Sequence, residues 1–171
     1  MNAGTVARYL LGYLIGISVF ALAAPFGIYR LAAFHPIPLP VGDAARLAVA
    51  LILGCVGIIF GVWSNTALFF HGEGGPVDAF NMPISPRTKH LVVQGPYRYT
   101  RNPMVFGAFS VYIALAIYWN SLQAVVVLIL CLIGATFYLK ATEEKRLLKD
   151  FGEEFEEYRK RTPMIVPWRN A

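Results

Sequence analysis

One long uncharged stretch limits what this chain can fold into. From Pro103 to Leu139 no side chain carries a charge, and the only plausible break in the apolar pattern is the Trp-Asn-Ser turn at residues 119 to 121. This break leaves about 16 residues before it and about 18 after it, close to the roughly 20 residues that a helix needs to cross a bilayer. We therefore predict a tight helical hairpin over residues 103 to 139 within a membrane. Because its first arm is short, we expect that arm to begin below the lipid headgroups.

Two further apolar stretches precede this hairpin. Residues 6 to 29 are almost wholly apolar, and residues 44 to 70 carry one cation, Arg46, and no acid. With 57% hydrophobic and only 15% charged residues, these stretches predict an all-α polytopic membrane protein with about four transmembrane helices. We expect one integral membrane domain over residues 1 to 171. We interpret the first stretch as a retained helix and not a cleaved signal peptide, because its apolar run is long and a proline follows the small residues.

The connecting segments, cysteines and histidines suggest little chemistry. The proline-rich segment over residues 35 to 43 is predicted to join the first two spans and to do nothing more. The glycine-rich segment over residues 71 to 80 is a lid or a linker, and the sequence favours neither. Cys55 and Cys131 fall mid-span as small apolar fillers, and the three histidines lack the spacing of metal ligands. We therefore expect neither a disulfide framework nor a bound metal.

The distribution of Lys and Arg predicts the orientation in the membrane. If the N-terminus is cytosolic, then the N-terminus, the loop of residues 71 to 102 and the tail from residue 140 carry 13 of the 15 Lys and Arg residues. Only Arg30 and Arg46 remain on the outer side. Since cytosolic loops of membrane proteins are enriched in these cations, we expect both termini and this loop in the cytosol. The expected location is a plasma membrane, such as the inner membrane of a bacterium.

A basic motif ends the loop and leads directly into the hairpin. It contains a Gly-Pro turn at Gly95, the cations Arg98 and Arg101, and then Asn102 and Pro103, which suit an N-cap and a first helical position. The free N–H groups of the following helix would point back at the two arginines and form an anion pocket. Arginines beside a cytosolic helix end also serve as topology or lipid-headgroup anchors, and this alternative stays open.

The tail after residue 140 is predicted to form an amphipathic cytosolic helix. Apolar residues recur at helical spacing in Leu147, Phe151, Phe155 and Tyr158. Glu143 and Glu144 lie four residues before Leu147 and Leu148, so they begin the helix on or beside its buried face. They are either first-turn acids favoured by the helix dipole, or carboxylates that face the basic motif and hold a cationic ligand or a ribose.

These two motifs carry a family resemblance. The first reads Leu91-Val92-Val93-Gln94-Gly95-Pro96-Tyr97-Arg98-Tyr99-Thr100-Arg101-Asn102-Pro103-Met104, and after the hairpin follow Glu143, Glu144, Leu147, Phe151, Gly152, Tyr158 and Pro163. In this order and spacing, residues 89 to 167 resemble the isoprenylcysteine carboxyl methyltransferase and phospholipid methyltransferase superfamily of integral membrane enzymes. Residues 1 to 70 resemble it only in being two apolar helices. Asn102 and Val105 stand where prenylcysteine-modifying members often have a histidine and an aromatic residue, so the resemblance names no acceptor.

The resemblance implies a cytosol-facing site for S-adenosylmethionine, made by the basic motif, the ends of the hairpin and the C-terminal helix. The cofactor-binding residues that it implies are His90, Val92, Gly95, Tyr97, Arg98, Arg101, Asn102, Pro103, Glu143 and Glu144. Among them, Arg101, Asn102 and Glu144 are the expected catalytic residues. Glu144 would orient the acceptor or take its proton.

For the reaction, we expect direct in-line transfer of a methyl group to a lipophilic acceptor: a prenylcysteine-like carboxylate, a phospholipid amine or another hydrophobic small molecule. The acceptor and membrane lipids are the expected partners, and nucleic acid is not. We expect the acceptor to enter sideways from the bilayer along Met104, Phe106, Phe137 and Tyr138. Two alternatives remain: a non-catalytic lipid-binding or assembly protein that keeps the pocket, and a membrane reductase that uses a nicotinamide cofactor.

Overall fold

The computed structural model describes residues 3–34, 37–72, 78–79, 82–83, 88 and 90–167. The helices are α1 (Ala3–Gly16), a π-helical segment (Ile17–Ala23), α2 (Ala24–Ala33), α3 (Asp43–Gly72), a 3-10 turn (Gly95–Arg98), α4 (Pro103–Tyr118), α5 (Leu122–Ala141) and α6 (Glu143–Arg161). A short antiparallel pair of two-residue strands, β1 (Asp78–Ala79) and β2 (Met82–Pro83), lies between α3 and the 3-10 turn. The predicted all-α architecture is confirmed.

Among the described residues, three helical stretches are long and apolar enough to cross a bilayer, and they agree with the predicted spans. They run over Val6–Ala33, Asp43–Gly72 and Leu122–Ala141. Helix α4 is apolar but shorter, at 16 residues, as the short first arm of the hairpin predicted. The chain is therefore a polytopic integral membrane protein whose fourth apolar helix falls below the usual spanning length of about 20 residues.

The first span is a continuous helix whose middle residues are π-helical. The seven residues Ile17–Ala23 are π-helical, and Pro25 follows in the first turn of α2. Proline has no backbone N–H, and its ring clashes with the carbonyl group four residues earlier, so it interrupts an ordinary α-helical ladder. The π-helical segment accommodates this interruption without ending the helix.

Helices α3 and α4 approach each other most closely at glycine. A Cβ atom on Gly57 would lie 2.6 Å from the carbonyl oxygen of Gly107, and one on Gly107 would lie 2.8 Å from that of Gly57. Gly57 and Gly61 form a Gly-x-x-x-Gly pattern, which lets membrane helices bring their backbones together. Helix α4 consequently packs more extensively against α3 than against α5, its partner in the hairpin.

The hairpin turn is hydrogen-bonded to the connector between α2 and α3, at the end of the helix bundle that lies away from the basic motif. Asn120 has a positive φ of 56°, and its side-chain oxygen accepts a hydrogen bond from the backbone of Leu39 at 2.9 Å. The backbone N–H of Leu122 donates to the carbonyl of Ile37 at 2.8 Å. The backbone of the proline-rich connector between the first two spans therefore also hydrogen-bonds to the hairpin turn.

The buried core lies at this same end. Helix α2 packs against α4 and α5, and the buried cluster between them consists of Ile28, Ala32, Tyr112, Ala116, Ala124 and Leu128. Its small alanines let the three helices come together without voids. Towards the other end, the first span, α3 and α4 enclose a cavity.

Helix α6 begins at Glu143, as predicted, but it is not one straight helix. Gly152 has a φ of 53° and a ψ of −125°, a conformation that glycine adopts far more readily than other residues. It divides α6 into two helical pieces. Phe155 and Tyr158 in the second piece are buried, so the predicted apolar face exists, while the prediction of a continuous helix missed the break at Gly152.

Candidate functional site

An ion pair joins the basic motif to the start of α6. The guanidinium of Arg101 donates from Nη1 to Oε1 of Glu144. Their side chains are only 12% and 9% exposed, so the pair lies largely out of water. Charge-assisted hydrogen bonds of this kind are stronger than neutral ones, and this one fixes the acidic helix start against the loop that precedes α4.

One hydrogen-bond donor of the Arg101 guanidinium has no partner among the described residues. Within the described part of the chain, its buried Nε finds no hydrogen-bond acceptor. Burial lowers the pKa of Arg101, and the negative charge of Glu144 opposes this shift. A buried donor without a partner costs about 1 to 3 kcal/mol, so an anionic or carbonyl oxygen bound beside Nε would recover free energy that the protein alone does not.

The segment that follows α6, residues 162 to 165, holds the basic motif in place. The backbone N–H of Arg101 donates to the Pro163 carbonyl at 2.9 Å. The carbonyl of Met164 accepts from Thr100 Oγ1 at 3.0 Å and from Asn102 Nδ2 at 2.9 Å. We call residues 162 to 165 the clamp segment. It holds Thr100, Arg101 and Asn102 in place, and although Pro163 belongs to the second motif, the sequence did not predict these hydrogen bonds.

Asn102 occupies the N-cap position of α4 but does not cap the helix with its side chain. Its amide donates to the clamp segment, and no side-chain capping bond forms. Pro103 takes the first helical position, as predicted. The predicted N-cap position of Asn102 is therefore confirmed, while its Oδ1 atom makes no capping bond and its Nδ2 group donates to the carbonyl of Met164.

Two buried tyrosines connect the 3-10 turn to α6. The hydroxyl of Tyr158 donates to the backbone carbonyl of Tyr97 at 2.7 Å. Burial raises the pKa of both phenols, with further contributions from the charge of Glu143 at Tyr97 and from Tyr97 at Tyr158. Both hydroxyl groups therefore stay neutral at physiological pH, and they can serve as hydrogen-bond donors to a ligand or to backbone.

Gly95 is needed for the shape of the 3-10 turn. Its φ is +61°, and a Cβ atom there would lie 3.1 Å from Nε1 of Trp63 on α3. A larger residue would be strained by its backbone conformation and crowded by the indole ring. Gly95 thus lets the basic motif lie directly against α3, although it does not itself line the cavity.

The cavity has a volume of about 990 Å³ and joins a polar end to an apolar groove. This volume is at the upper end of the range of about 300 to 1,000 Å³ for small-molecule sites. Its polar end is lined by His90, Tyr97, Arg101, Asn102, Glu143, Glu144, Arg146, Asp150 and Tyr158. From there it continues between α1, the π-helical segment, α3 and α4, where aliphatic and aromatic side chains predominate.

The structure brings together most of the predicted site residues. His90, Val92, Tyr97, Arg101, Asn102, Pro103, Glu143 and Glu144 all line the cavity. Gly95 and Arg98 do not belong to its lining, and the Arg98 side chain is exposed. The two arginines of the basic motif therefore differ: Arg101 points into the cavity, whereas Arg98 faces away from it.

The apolar wall of the cavity differs from the expected one. Met104 lines it, but Phe106 packs against Phe60 with ring centroids 4.9 Å apart. Phe137 is 70% exposed and Tyr138 is 43% exposed, and neither lines the cavity. The first span supplies the missing wall through Tyr13, Gly16, Ile17, Phe20, Ala21 and Pro25. The sequence signalled this contribution only through Pro25, which interrupts an otherwise regular apolar helix.

Comparison with known proteins places the chain in a family. The phospholipid methyltransferase family matches residues 45–154, which contain the basic motif, the hairpin and the acidic pair. The chain belongs to this family, and the predicted superfamily is confirmed. Among individual proteins, the chain is 30% identical over 111 residues to the phosphatidylethanolamine N-methyltransferase of Meyerozyma guilliermondii. That match covers 60% of this chain but only 12% of the relative.

Proposed function

We propose that this protein transfers a methyl group from S-adenosylmethionine to the amine of a membrane phospholipid at the cytosolic membrane interface. One observation carries the proposal: the cavity that begins at the Arg101–Glu144 pair continues without interruption into an apolar groove between membrane helices. A single cavity of this kind suits two reactants of opposite character, a charged cofactor and a lipid. Family membership supports the same reaction, and so does the name of the similar protein of Meyerozyma guilliermondii, a phosphatidylethanolamine N-methyltransferase.

The residues at the polar end fit the cofactor. The unsatisfied Nε of Arg101 offers a donor for a carboxylate oxygen. Glu143 and Glu144 bring negative charge to the same end of the cavity, which suits an ammonium group or the hydroxyls of a ribose. The neutral phenol of Tyr97 adds a further hydrogen-bonding group. S-adenosylmethionine would supply the electrophile, a methyl group on a positively charged sulfur.

The protein's part in the reaction is to position the two reactants and to exclude water. The neutral amine would attack the methyl carbon, and the new nitrogen–carbon bond would form as the carbon–sulfur bond breaks. The bonding electrons would pass to sulfur, the demethylated cofactor would leave, and the methylated ammonium would then lose its proton. Glu144, held in place by Arg101, lies at the cavity wall where it can orient the amine and accept that proton. Positioning of this kind contributes up to about 7 to 11 kcal/mol in favourable cases.

The shape of the cavity favours a lipid that enters sideways from the bilayer. Its groove lies between the first span, α3 and α4, so an acyl chain would remain among apolar side chains while the head group reaches Glu144. Each buried methylene contributes about 0.8 kcal/mol. The cofactor would enter from the opposite, polar end, which the distribution of Lys and Arg predicts to lie in the cytosol.

A methyl-transfer assay tests the proposal. The protein, reconstituted in vesicles, is given labelled S-adenosylmethionine and phosphatidylethanolamines of increasing acyl length, with free ethanolamine as the tail-less control. Efficiency should rise steeply with tail length, and Glu144→Gln should lower it on every acceptor. Equal turnover of free ethanolamine would contradict lateral entry. Cofactor binding with no turnover of any lipid amine would contradict the enzyme and favour a non-catalytic lipid-binding protein.

A further inference from the structure

The first span lies outside the part of the chain that matches the family, yet it forms one wall of the cavity. The match begins at residue 45. The residues of the first span that line the cavity are Tyr13, Gly16, Ile17, Phe20, Ala21 and Pro25. Counted from residue 13, they fall at positions i, i+3, i+4, i+7, i+8 and i+12, so they lie on one side of the helix. This wall is therefore a feature of this chain's own N-terminal helix.

One hydrogen bond joins this wall to α4 in the depth of the membrane. The hydroxyl of Tyr112 donates to the backbone carbonyl of Phe20 at 2.8 Å. Phe20 lies inside the π-helical segment, and short π-helical insertions in helices are frequent at functional sites. The Tyr112 side chain is thus held at its tip by this bond and along its ring by the buried core to which it belongs.

Tyr112 lies where the apolar groove ends. Tyr112, Leu115 and Pro25 still line the cavity. One turn further along, Ile28 and Ala116 belong to the closed core between α2, α4 and α5 and are no longer part of the lining. Between Pro103 and Leu115 the groove follows α4 for about 18 Å at 1.5 Å per residue. It is therefore a groove of limited length, with a polar site at one end and a packed core at the other.

We propose that Tyr112, together with Phe20 and Ala21 of the π-helical segment, forms an end stop that sets the tail length of the lipid acceptor. This inference rests on the proposed function, because the reacting head group fixes one end of the lipid at Glu144. The occupant is the apolar tail of that same acceptor, since the groove is continuous with the polar site and its lining is apolar. Tails that reach the stop gain affinity with each methylene, at about fourfold per group. Methylenes beyond the stop add nothing further, so the optimum is the shortest tail that reaches the stop.

A matched pair of substitutions in the π-helical segment tests the stop. Ala21 lines the groove, whereas Ala23, two residues later and also exposed, does not. The substitution Ala21→Phe should fill the space of two to three methylenes, shift the optimum to shorter tails and lower efficiency on the longest tails roughly 15- to 60-fold. Ala23→Phe should leave the profile of the wild type unchanged. Tyr112→Leu should shift the optimum to longer tails. If Tyr112→Leu does not fold, the Ala21→Phe result decides alone.

Two readouts separate this inference from the reaction itself. The first is methyl transfer to phosphatidylethanolamines of graded acyl length. The second is the tail-length distribution of phospholipids that remain bound through purification, measured by mass spectrometry. If the wild type methylates no acceptor, the proposed function is wrong, but a shift of the retained lipids to shorter tails in Ala21→Phe would still support the stop. Identical profiles for Ala21→Phe, Ala23→Phe and wild type in both readouts would overturn it.

Discussion

The ion pair between Arg101 and Glu144 gives the sharpest prediction. Both side chains are nearly buried, at 12% and 9% exposure, so removal of one partner leaves the other charge uncompensated. For buried pairs this costs about 3 to 5 kcal/mol of stability. Arg101→Ala and Glu144→Ala should each lose a stabilisation of this size, whereas the double variant should lose much less than the sum, because no lone charge remains.

Cofactor affinity should respond to the same residues. Loss of the Arg101 guanidinium removes a charged donor, which costs about 1.5 to 3 kcal/mol, or roughly 10- to 150-fold in the affinity for S-adenosylmethionine.

Calorimetry with S-adenosylmethionine and thermal unfolding in one detergent measure both effects, and Arg98→Ala provides the control. Arg98 is a cation of the same motif, but it is exposed and lies outside the cavity, so its loss should change stability by no more than about 0.5 kcal/mol. Two results would refute the reasoning: equal effects of Arg98→Ala and Arg101→Ala on affinity, or strictly additive losses of stability in the double variant.

Three further measurements test the fold and the site. Gly107→Ala should lower stability by about 1 to 3 kcal/mol, because its Cβ would meet the α3 backbone, whereas Gly134→Ala, with nothing within 4 Å, should not; equal melting temperatures would contradict this. Tyr158→Phe should cost about 1 to 2 kcal/mol and remove one late-ionising phenol from an absorbance titration. Because burial raises the pKa of Tyr158, its contribution is complete below the ordinary tyrosine pKa of about 10 and is lost as the pH rises further. In a background without the two native cysteines, an impermeant thiol reagent applied to intact cells should label Gly42→Cys and not Gln94→Cys; the reverse would overturn the orientation.

The sequence predicted the elements with strong chemical signatures. The spans follow from uncharged apolar runs, and the hairpin turn follows from its polar tripeptide. The contact between Arg101 and Glu144 was also expected. The basic motif directly precedes the helical hairpin and the acidic pair directly follows it, so both lie at the same end of the hairpin. Pro103 at the first helical position followed from its fixed backbone angle.

What the sequence did not predict depends on how apolar helices face one another. In α3 and α4, apolar residues occur on all sides, so no polar face indicates which side meets a neighbour. The Gly57–Gly107 contact could have been suspected from the Gly-x-x-x-Gly pattern, but nothing in α4 alone identified Gly107 as its partner. The wall formed by the first span was missed for the same reason.

The two arginines of the basic motif show a second reason why the sequence alone could not predict the whole site. Arg98 and Arg101 are three residues apart, a spacing that would place them on one face of a regular helix. The 3-10 turn ends at Arg98, and the backbone then follows the clamp segment to reach Arg101. The position of Arg101 is therefore decided by hydrogen bonds from residues 100 to 102 to residues more than 60 positions later, which local patterns do not contain.

The position of the clamp segment couples the candidate site to the folding of the C-terminal region. Arg101 receives its ion-pair partner from the first turn of α6 and its backbone acceptor from Pro163, after the last turn. Both ends of α6 must therefore dock before the guanidinium of Arg101 is fixed at the cavity with its Nε unpaired. A ligand that satisfies this donor binds only the docked arrangement, so it stabilises docking by the same free energy with which docking improves its own binding. We predict that the buried pair, which by itself is weak evidence for stability, belongs to a binding site that the C-terminal helix completes.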